Sequence, residues 1–186
     1  RLGRLVEAGL KIVCIDVAHG DHVLVKEAVQ HIKQYHSHLF IIAGNIAGGE
    51  AYQRLSEWGV NAVRTSVGSG SICTTRIQTG HGMPTLNALI DCVERREELK
   101  KLGQNAAYII ADGGIKNTGD IVKCLAVGAD MVMLGSMLSG TRETPGKVII
   151  DKETGKKVKR YNGMASKAAQ KAWKGSYSSI EGVTSY

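Results

Sequence analysis

The chain is poor in aromatic residues and in proline, and it has no long apolar run. Of its 186 residues, 5% are aromatic and 2 are proline. Because proteins that bind single-stranded nucleic acids stack the bases on aromatic side chains, we expect no nucleic-acid partner. No apolar run approaches the roughly 18 residues that a membrane-spanning helix needs, so we expect no membrane partner either.

The charge balance is basic but not concentrated. Lys and Arg number 24 against 17 Asp and Glu, for a formal net charge of +7. The nearest approach to a basic block is Lys152–Arg160, and the other basic residues are scattered. A basic surface that tolerates anionic metabolites is therefore favoured over a nucleic-acid footprint.

The four cysteines do not suggest a disulfide framework. Cys14, Cys73, Cys92 and Cys124 are widely spaced and form no CxxC pair. Free thiols in a reducing compartment are the simpler interpretation, and we expect a cytoplasmic protein. We interpret Cys14, Cys92 and Cys124 as small buried apolar residues.

Short apolar runs alternate with amphipathic stretches, which is typical of the α/β class with a buried parallel sheet. Their lack of strict polar alternation predicts strands covered on both faces. The predicted strands are Ile12–Asp16, Leu39–Ala43, Ala62–Val67, Tyr108–Ala111 and Met131–Leu134. The predicted helices are His22–His36, Gly49–Trp58, Thr85–Leu102, Thr118–Val127 and Ser166–Lys174.

Glycines punctuate this pattern at both ends of the strands. Gly9, Gly59 and Gly128 each stand where a helix ends before a strand, a position that favours positive φ. Glycine and small polar residues also follow every strand, either as tight turns or as the active face of an α/β enzyme, and five in succession favour the active face. These segments are His19-Gly20, Gly44-Asn45, Gly68-Ser69-Gly70, Asp112-Gly113-Gly114 and Gly135-Ser136.

The segment Val67–Gly82 contains the strongest candidate for a nucleophile. Cys73 follows Gly68 and Gly70 in a polar loop, beside the Thr74 and Thr75 hydroxyls. Such a loop exposes backbone N–H groups to an anion and directs carbonyls the other way, toward a cation. A small buried apolar residue is the other interpretation of a lone cysteine, and the glycine-flanked polar setting favours the nucleophile.

With these motifs the chain resembles the IMP dehydrogenase/GMP reductase family, whose fold is a (β/α)8 TIM barrel. The resemblance runs in order over nearly the whole chain. It rests on DVAHG at Asp16–Gly20, AGN at Ala43–Asn45, GSGSICTTR at Gly68–Arg76, ADGGI at Ala111–Ile115, GSMLSG at Gly135–Gly140, ETPG at Glu143–Gly146 and YNGMAS at Tyr161–Ser166.

The resemblance implies a role for each matched position. Cys73 would attack C2 of a purine nucleotide, while Asp112 would bind the ribose, unless it only caps its turn. The implied substrate-binding residues are Ser71, Asp112, Gly113, Gly114, Gly135, Ser136, Tyr161, Gly163, Met164 and Ala165. The implied cofactor-binding residues are Asp16, Ala18, His19 and Asn45, and the carbonyls of Gly68, Gly70 and Cys73 would hold a monovalent cation such as K+.

The segment after Met164 favours the reductase branch of the family. The dehydrogenase branch uses an Arg-Tyr pair on a long flap to activate water, and residues 165–186 contain no arginine. The reductase branch uses a Thr–Glu pair, which Thr75 and Glu181 match. The resemblance therefore implies NADPH-dependent conversion of GMP to IMP and ammonia, by a homotetramer. The alternatives are an IMP dehydrogenase and a truncated, non-catalytic nucleotide-binding homologue.

Two positions depart from the family pattern, and the length does too. Ala165 puts the contacts at that position in doubt, and His19 either stacks near the nicotinamide or caps its turn. Five predicted strands are fewer than the eight of a closed barrel. We therefore expect residues 1–140 to form about the last five βα units of a barrel, in a fragment that opens on Arg1. Residues 141–186 would form a polar hairpin-like excursion and an active-site flap.

Overall fold

The structure, a computed structural model, describes residues 2–177 and 183–185. Its strands are β1 Ile12–Asp16, β2 Phe40–Ile46, β3 Ala62–Thr65, β4 Tyr108–Asp112, β5 Met131–Met133, β6 Val148–Ile150, β7 Lys157–Lys159, β8 Tyr161–Asn162 and β9 Thr184–Ser185. Its helices are α1 Leu2–Glu7, α2 Val23–Tyr35, α3 Gly49–Glu57, α4 Thr75–Thr79, α5 Thr85–Lys101, α6 Thr118–Val127, α7 Ser136–Ser139 and α8 Lys167–Lys174. No helix among these residues is long and apolar enough to cross a membrane.

The first five strands form one parallel sheet in sequence order, β1-β2-β3-β4-β5. Helices connect each strand to the next, so each strand lies beside its successor and the order never reverses. A doubly wound sheet reverses its strand order at a switch point, whereas consecutive order is the arrangement of a (β/α)8 barrel. The predicted fold class, α/β with five βα units of such a barrel, is confirmed.

The helices cover one face of this sheet and build the core there. Ile41, Val63 and Ile109 on the central strands are fully buried, together with Val29 of α2 and Leu89 of α5. The prediction that both faces are covered is wrong for this chain. On the opposite face Ile12, Tyr108 and Met131 are 56%, 56% and 42% exposed. This face would line the interior of a closed barrel.

Cys14 lies on the open face, which corrects the prediction that it is buried. Successive side chains of a strand point to opposite faces. Val13 and Ile15 of β1 pack against the helix-covered core, so Cys14 between them faces away and is exposed. Cys92 and Cys124 lie on helices that pack on the sheet, and both are buried as predicted.

The glycines predicted to end helices do so with positive φ. Gly9, Gly59 and Gly128 have φ of 95°, 92° and 121°. Several strand ends differ from the prediction, and the carboxyl ends of β2 and β3 differ by more than one residue. β2 continues through Gly44 and Asn45 to Ile46, with a register shift between Gly44 and Ile46. β3 stops at Thr65, because Ser66 takes a φ of 90°, which an extended strand does not accommodate.

Beyond Gly140 the chain leaves the sheet. β6 and β7 pair antiparallel as a hairpin, and the backbone of β8 pairs antiparallel with β9. Ser166 begins α8, its hydroxyl accepting a hydrogen bond from Ala169 N, as expected of an N-cap serine.

Candidate active site

The carboxyl ends of the parallel strands meet at one edge of the sheet, and most of the predicted site residues lie there. Asp16 ends β1 and Asp112 ends β4, while the loop that carries Cys73 follows β3. Parallel strands place their carboxyl ends together, so residues distant in sequence become neighbours. Two of the cavities at this edge contain most of the predicted site residues.

The first, which we call the glycine-lined cavity, has a volume of about 80 Å³. It brings together seven of the predicted substrate-binding residues, which are Ser71, Asp112, Gly113, Gly114, Gly135, Ser136 and Tyr161. Its walls pack so closely against neighbouring atoms that two of its glycines have no room for a side chain. A Cβ at Gly113 would lie 3.0 Å from Gly70 N, and one at Gly135 would lie 2.5 Å from Tyr161 Oη. Burial and the nearby Asp112 charge raise the pKa of Tyr161, so its hydroxyl stays protonated as a donor.

The second, the cysteine cavity, has a volume of about 280 Å³. Eight predicted site residues line it, which are Asp16, Ala18, Asn45, Gly68, Cys73, Thr75, Met164 and Ala165. The Cys73 thiol donates a hydrogen bond to Thr75 Oγ1 across 3.2 Å. The thiol and the threonine hydroxyl that the resemblance pairs for catalysis are therefore in contact.

The loop that carries Cys73 is held from both sides. The Cys73 N–H donates to the Gly70 carbonyl at 3.1 Å, closing a turn. Met83 N donates to the Val67 carbonyl at 2.9 Å and so fixes the two ends of the loop. The Gly70 carbonyl keeps a second lone pair for a cation. Among the described residues no group of three His, Cys, Asp or Glu side chains forms a metal site. The carbonyl site for a monovalent cation stays a prediction.

Arg64 of β3 is a site residue that the sequence analysis missed. Its Nη1 lies 2.7 Å from Asp16 Oδ1 and its Nη2 lies 2.7 Å from Asp112 Oδ2, so one guanidinium joins two predicted site carboxylates. Burial works to lower the pKa of Arg64, but the hydrogen bonds and charges of both aspartates outweigh burial and raise it. The sequence does indicate it, because Arg64 is a charged residue in a strand predicted to be buried, and a charged residue is rarely buried unless it is paired.

Ser66, also missed, joins the ends of three strands. Its hydroxyl donates to the Asp112 carbonyl at 2.6 Å, and its own carbonyl accepts from Asn45 Nδ2 at 2.9 Å. Its positive φ, rare for a residue other than glycine, marks the local strain that often accompanies a functional site. The same Asn45 Nδ2 donates to Asp112 Oδ2 at 2.9 Å, and Asn45 Oδ1 is buried without a partner among the described residues.

Two other predicted residues, His19 and Gly163, line neither of these two cavities. His19 lines a neighbouring cavity with Asp21, next to the cysteine cavity through Val67, which lines both. Gly163 lines neither cavity, and its N–H donates to the Val183 carbonyl at 3.1 Å. Glu181 lies outside the described residues, so its role stays a prediction.

The two buried thiols, those of Cys92 and Cys124, are unsuited to nucleophilic attack. Burial raises the pKa of Cys92 to about 12, and it also raises the pKa of Cys124. The thiolate is the reactive form of cysteine, and a raised pKa suppresses it at neutral pH. Cys14 is exposed, but it does not line the cysteine cavity. Cys73 is partly exposed, lines that cavity and contacts Thr75, so it remains the candidate nucleophile.

A comparison with known families agrees with this arrangement. A model described as the IMP dehydrogenase / GMP reductase domain matches residues 1–185. The chain belongs to this family. The family's members are oxidoreductases that use NAD(P), so the resemblance read from the sequence is confirmed at that level.

Individual relatives carry both of the family's names. The chain is 47% identical over 176 residues to the inosine-5'-monophosphate dehydrogenase of Chlorobaculum tepidum, covering 95% of this chain and 34% of that protein. It is 48% identical over 169 residues to that of Halalkalibacterium halodurans, covering 91% and 33%. Among solved structures, GMP reductase C318A from Trypanosoma brucei in complex with guanosine 5'-monophosphate superposes with a TM-score of 0.87 at 39% identity, covering 98% of this chain and 37% of that one.

The chain thus spans about a third of the length of the relatives it matches. It carries the predicted nucleophile and most of the predicted substrate contacts of a family whose members are considerably longer. The activity of the complete protein is accordingly a proposal.

Proposed function

We propose that the complete protein containing this chain is a GMP reductase, which converts GMP and NADPH to IMP, ammonia and NADP+. The contact between Cys73 and Thr75 in the cysteine cavity carries this proposal. It supplies a nucleophile and a neighbouring hydroxyl, the pair needed to bind a purine covalently and to help an amine depart. The structural similarity to a GMP reductase bound to GMP supports the choice of substrate.

The proposed substrate contacts follow the two cavities. The 5′-phosphate would lie in the glycine-lined cavity, where Ser71 and the backbone N–H groups of Gly114, Gly135 and Ser136 donate to it. The Tyr161 hydroxyl, which lies against Gly135, would donate as well. Asp112 would accept hydrogen bonds from the ribose hydroxyls, and the backbone of Gly163–Ala165 would contact the edge of the base. C2 of the purine would then face Cys73 in the cysteine cavity.

The proposed reaction has two stages. In the first, the Cys73 sulfur bonds to C2 of GMP, the bond from C2 to the exocyclic nitrogen breaks, and ammonia leaves with a proton that Thr75 delivers and Glu181 supplies. In the second, C2 receives a hydride, the bond from C2 to sulfur breaks, and IMP is released with the Cys73 thiolate restored. Reduction occurs at C2, and the electrons come from the hydride donor.

The cysteine cavity suits a nicotinamide as well as the purine. NADPH, when bound, supplies the hydride. Asn45 Oδ1, buried without a partner among residues 2–177 and 183–185, would accept from a carboxamide N–H. Asp16, Ala18 and His19 would border the ring. The carbonyls of Gly68, Gly70 and Cys73 would hold K+. A cytoplasmic homotetramer is part of the proposal, because a symmetric assembly would cover the loop face.

The second candidate is an IMP dehydrogenase. The identities of 47% and 48% to relatives with that name favour it. It would share the Cys73 intermediate but would oxidise C2 of IMP with NAD and then hydrolyse the bond to sulfur. Hydrolysis needs a base that activates water, and the arginine that serves the dehydrogenase branch has no counterpart in residues 165–186. The sequence of this segment favours the reductase.

Two parallel assays of the complete protein distinguish these reactions. One follows NADPH oxidation and ammonia release with GMP, and the other follows NAD reduction with IMP. Activity in the GMP assay alone, with one ammonia per NADPH, is the expected result. Activity with IMP alone would identify a dehydrogenase. No activity in either assay, with GMP still bound, would identify a non-catalytic nucleotide-binding homologue.

Cys73→Ala should lower turnover by about 10³-fold or more, because no other group replaces the nucleophile. Cys124→Ala is the matched control, since that thiol is buried on α6 and lines neither of the two cavities. Glu181→Gln should slow ammonia release by about 10²-fold if that carboxylate supplies the proton. A normal rate in Glu181→Gln would remove Glu181 from the mechanism but leave Cys73 in place.

A further inference from the structure

Arg64 spans the two cavities of the site. Its side chain is 10% exposed and reaches Asp112, which lines the glycine-lined cavity, and Asp16, which lines the cysteine cavity. Asp16 is on β1, two strands away from β3, so the side chain crosses β2 to reach it. Gly44 of β2 makes this crossing possible, since a Cβ there would lie 2.7 Å from Arg64 Cβ.

The hydrogen bonds to Asp112 are divided unequally between its two oxygens. Arg64 Nη2 at 2.7 Å and Asn45 Nδ2 at 2.9 Å both donate to Oδ2. No donor in the described part of the chain reaches Oδ1. Each carboxylate oxygen accepts hydrogen bonds. Two donors on one oxygen fix the rotation of the carboxylate and leave the other oxygen to a ligand.

A second buried arginine shows what an ion pair confined to the scaffold looks like. Arg96 has the same 9% residue exposure as Arg64, and its Nη1 lies 2.9 Å from Asp130 Oδ2. Asp130 Oδ2 also accepts from Ile109 N at 2.7 Å, so that carboxylate ties α5 to β4. Neither Arg96 nor Asp130 lines the glycine-lined cavity or the cysteine cavity. Arg96 also bridges two carboxylates, since its Nε lies 3.0 Å from Glu97 Oε1. Arg64 differs because both of its carboxylate partners line a cavity of the site.

Stability alone does not explain a bridge of this kind. Desolvating an arginine and two carboxylates opposes folding, and apolar replacement of a buried ion pair is often neutral or stabilising. Arg64 Nε is moreover buried without a partner within residues 2–177 and 183–185. The arrangement does, however, fix the orientation of the Asp112 carboxylate.

We propose that Arg64 is a positioning residue that sets the preference of this site for a ribonucleotide. By holding Oδ2, it turns Oδ1 of Asp112 toward the ribose hydroxyls of the bound nucleotide. This inference rests on the proposed placement of the nucleotide, but not on which reaction follows. Loss of Arg64 should therefore weaken binding of the ribonucleotide while leaving a deoxynucleotide nearly unaffected.

The test compares ligand affinities and needs no turnover. Calorimetry on the complete protein gives the Kd of GMP and of its 2′-deoxy and 3′-deoxy analogues. The discrimination ratio is the Kd of the more weakly bound analogue divided by the Kd of GMP. The variants are Arg64→Met, which keeps the volume and removes the charge, Arg64→Lys, which cannot bridge both carboxylates, and Arg96→Met as the control of equal burial.

A hydrogen bond to a charged group corresponds to about tenfold or more in affinity, so the unsubstituted protein should show at least that ratio. Arg64→Met should reduce the ratio to about twofold, through weaker binding of GMP alone. Arg64→Lys should give an intermediate ratio, and Arg96→Met should keep the full ratio even if it lowers Tm.

A folded Arg64→Met or Arg64→Lys variant with the full ratio would overturn the inference, and if Arg64→Met does not fold, Arg64→Lys decides. An unsubstituted protein that binds GMP and both analogues equally would overturn it as well, together with the ribose-binding role of Asp112. If the reductase assay fails but the ratios change as expected, the inference stands and only the proposed reaction is overturned.

Discussion

Gly44 of β2 lies so close to Arg64 of β3 that a Cβ at position 44 would stand 2.7 Å from both the Cβ and the carbonyl oxygen of Arg64. The backbone of Arg64 cannot yield without disturbing the β2–β3 pairing, in which Gly44 and Arg64 are direct partners. Position 44 therefore has no room for a side chain, and glycine there leaves space for Arg64 to reach Asp16.

Gly44→Ala should therefore destabilise the protein and displace Arg64. Overpacking of this kind costs about 1–3 kcal/mol in the free energy of unfolding, which chemical denaturation would measure. Gly140→Ala is the control, since a Cβ at Gly140 meets nothing within 4 Å and its φ of −94° suits any residue. Equal stability of the two variants would contradict the close approach of Gly44 to Arg64.

Thr75→Ala should lower kcat for GMP reduction by about 10²-fold, because it removes the hydroxyl that contacts Cys73 at 3.2 Å. Thr75→Ser keeps the hydroxyl and should restore most of the rate. Thr79→Ala is the control on the same helix, since its hydroxyl bonds to the Thr75 carbonyl instead of the thiol. Steady-state ammonia release measures all three, and a Thr75→Ala variant as active as Thr79→Ala would remove the hydroxyl from the chemistry.

The ion pair between Asp21 and Arg54 should make the free energy of unfolding fall at acidic pH. The hydrogen bonds from Arg54 to Asp21, the shortest of which is 2.6 Å, lower the pKa of Asp21 below its ordinary 3.8. Burial of Asp21 opposes this shift but does not outweigh it. A lowered folded-state pKa stabilises the folded protein above the unfolded pKa, and this contribution is lost as the pH falls through the folded value.

Asp21→Asn should accordingly lower the free energy of unfolding by less than about 1 kcal/mol at pH 7, since Arg54 is partly exposed. The difference from the unsubstituted protein should shrink as the pH falls below 3.8. Urea denaturation across pH 3–7 measures it, and Arg54→Met should behave similarly because it breaks the same pair. A difference that grows in acid would contradict the assignment.

Tyr52 should make the free energy of unfolding fall at alkaline pH. Its ring is fully buried, its hydroxyl donates to the Ala107 carbonyl at 2.5 Å, and burial raises its pKa to about 12. Since the folded pKa lies above the ordinary 10.0, stability is full below pH 10 and declines as the pH rises toward 12.

Tyr52→Phe should cost about 1–2 kcal/mol at pH 7, because the buried Ala107 carbonyl loses its donor. The variant should then lose less stability than the unsubstituted protein between pH 10 and pH 12. Tyr35→Phe, at an exposed position of α2, is the control and should change neither quantity. Parallel pH profiles for the Tyr52 variant and the unsubstituted protein would contradict the buried position of the hydroxyl.

Local sequence patterns are sufficient to predict the helices, the strands and the family of this chain. Apolar runs, helix-ending glycines and the loop around Cys73 are local patterns, and local backbone preferences are strong enough to predict strands, turns and their order. Helix α6 was predicted at its observed bounds, Thr118–Val127. The family motifs are likewise short and contiguous, so they can be recognised without coordinates.

Which of these residues come into contact depends on the three-dimensional fold. It paired Arg64 with Asp16 and Asp112, whose positions in the chain are 48 residues away on either side of it. It also placed Cys14 on the open face of an edge strand, although its sequence neighbours are apolar. Burial and ion pairing depend on strand register and on what covers each face of the sheet. These are long-range properties, which no short stretch of sequence contains.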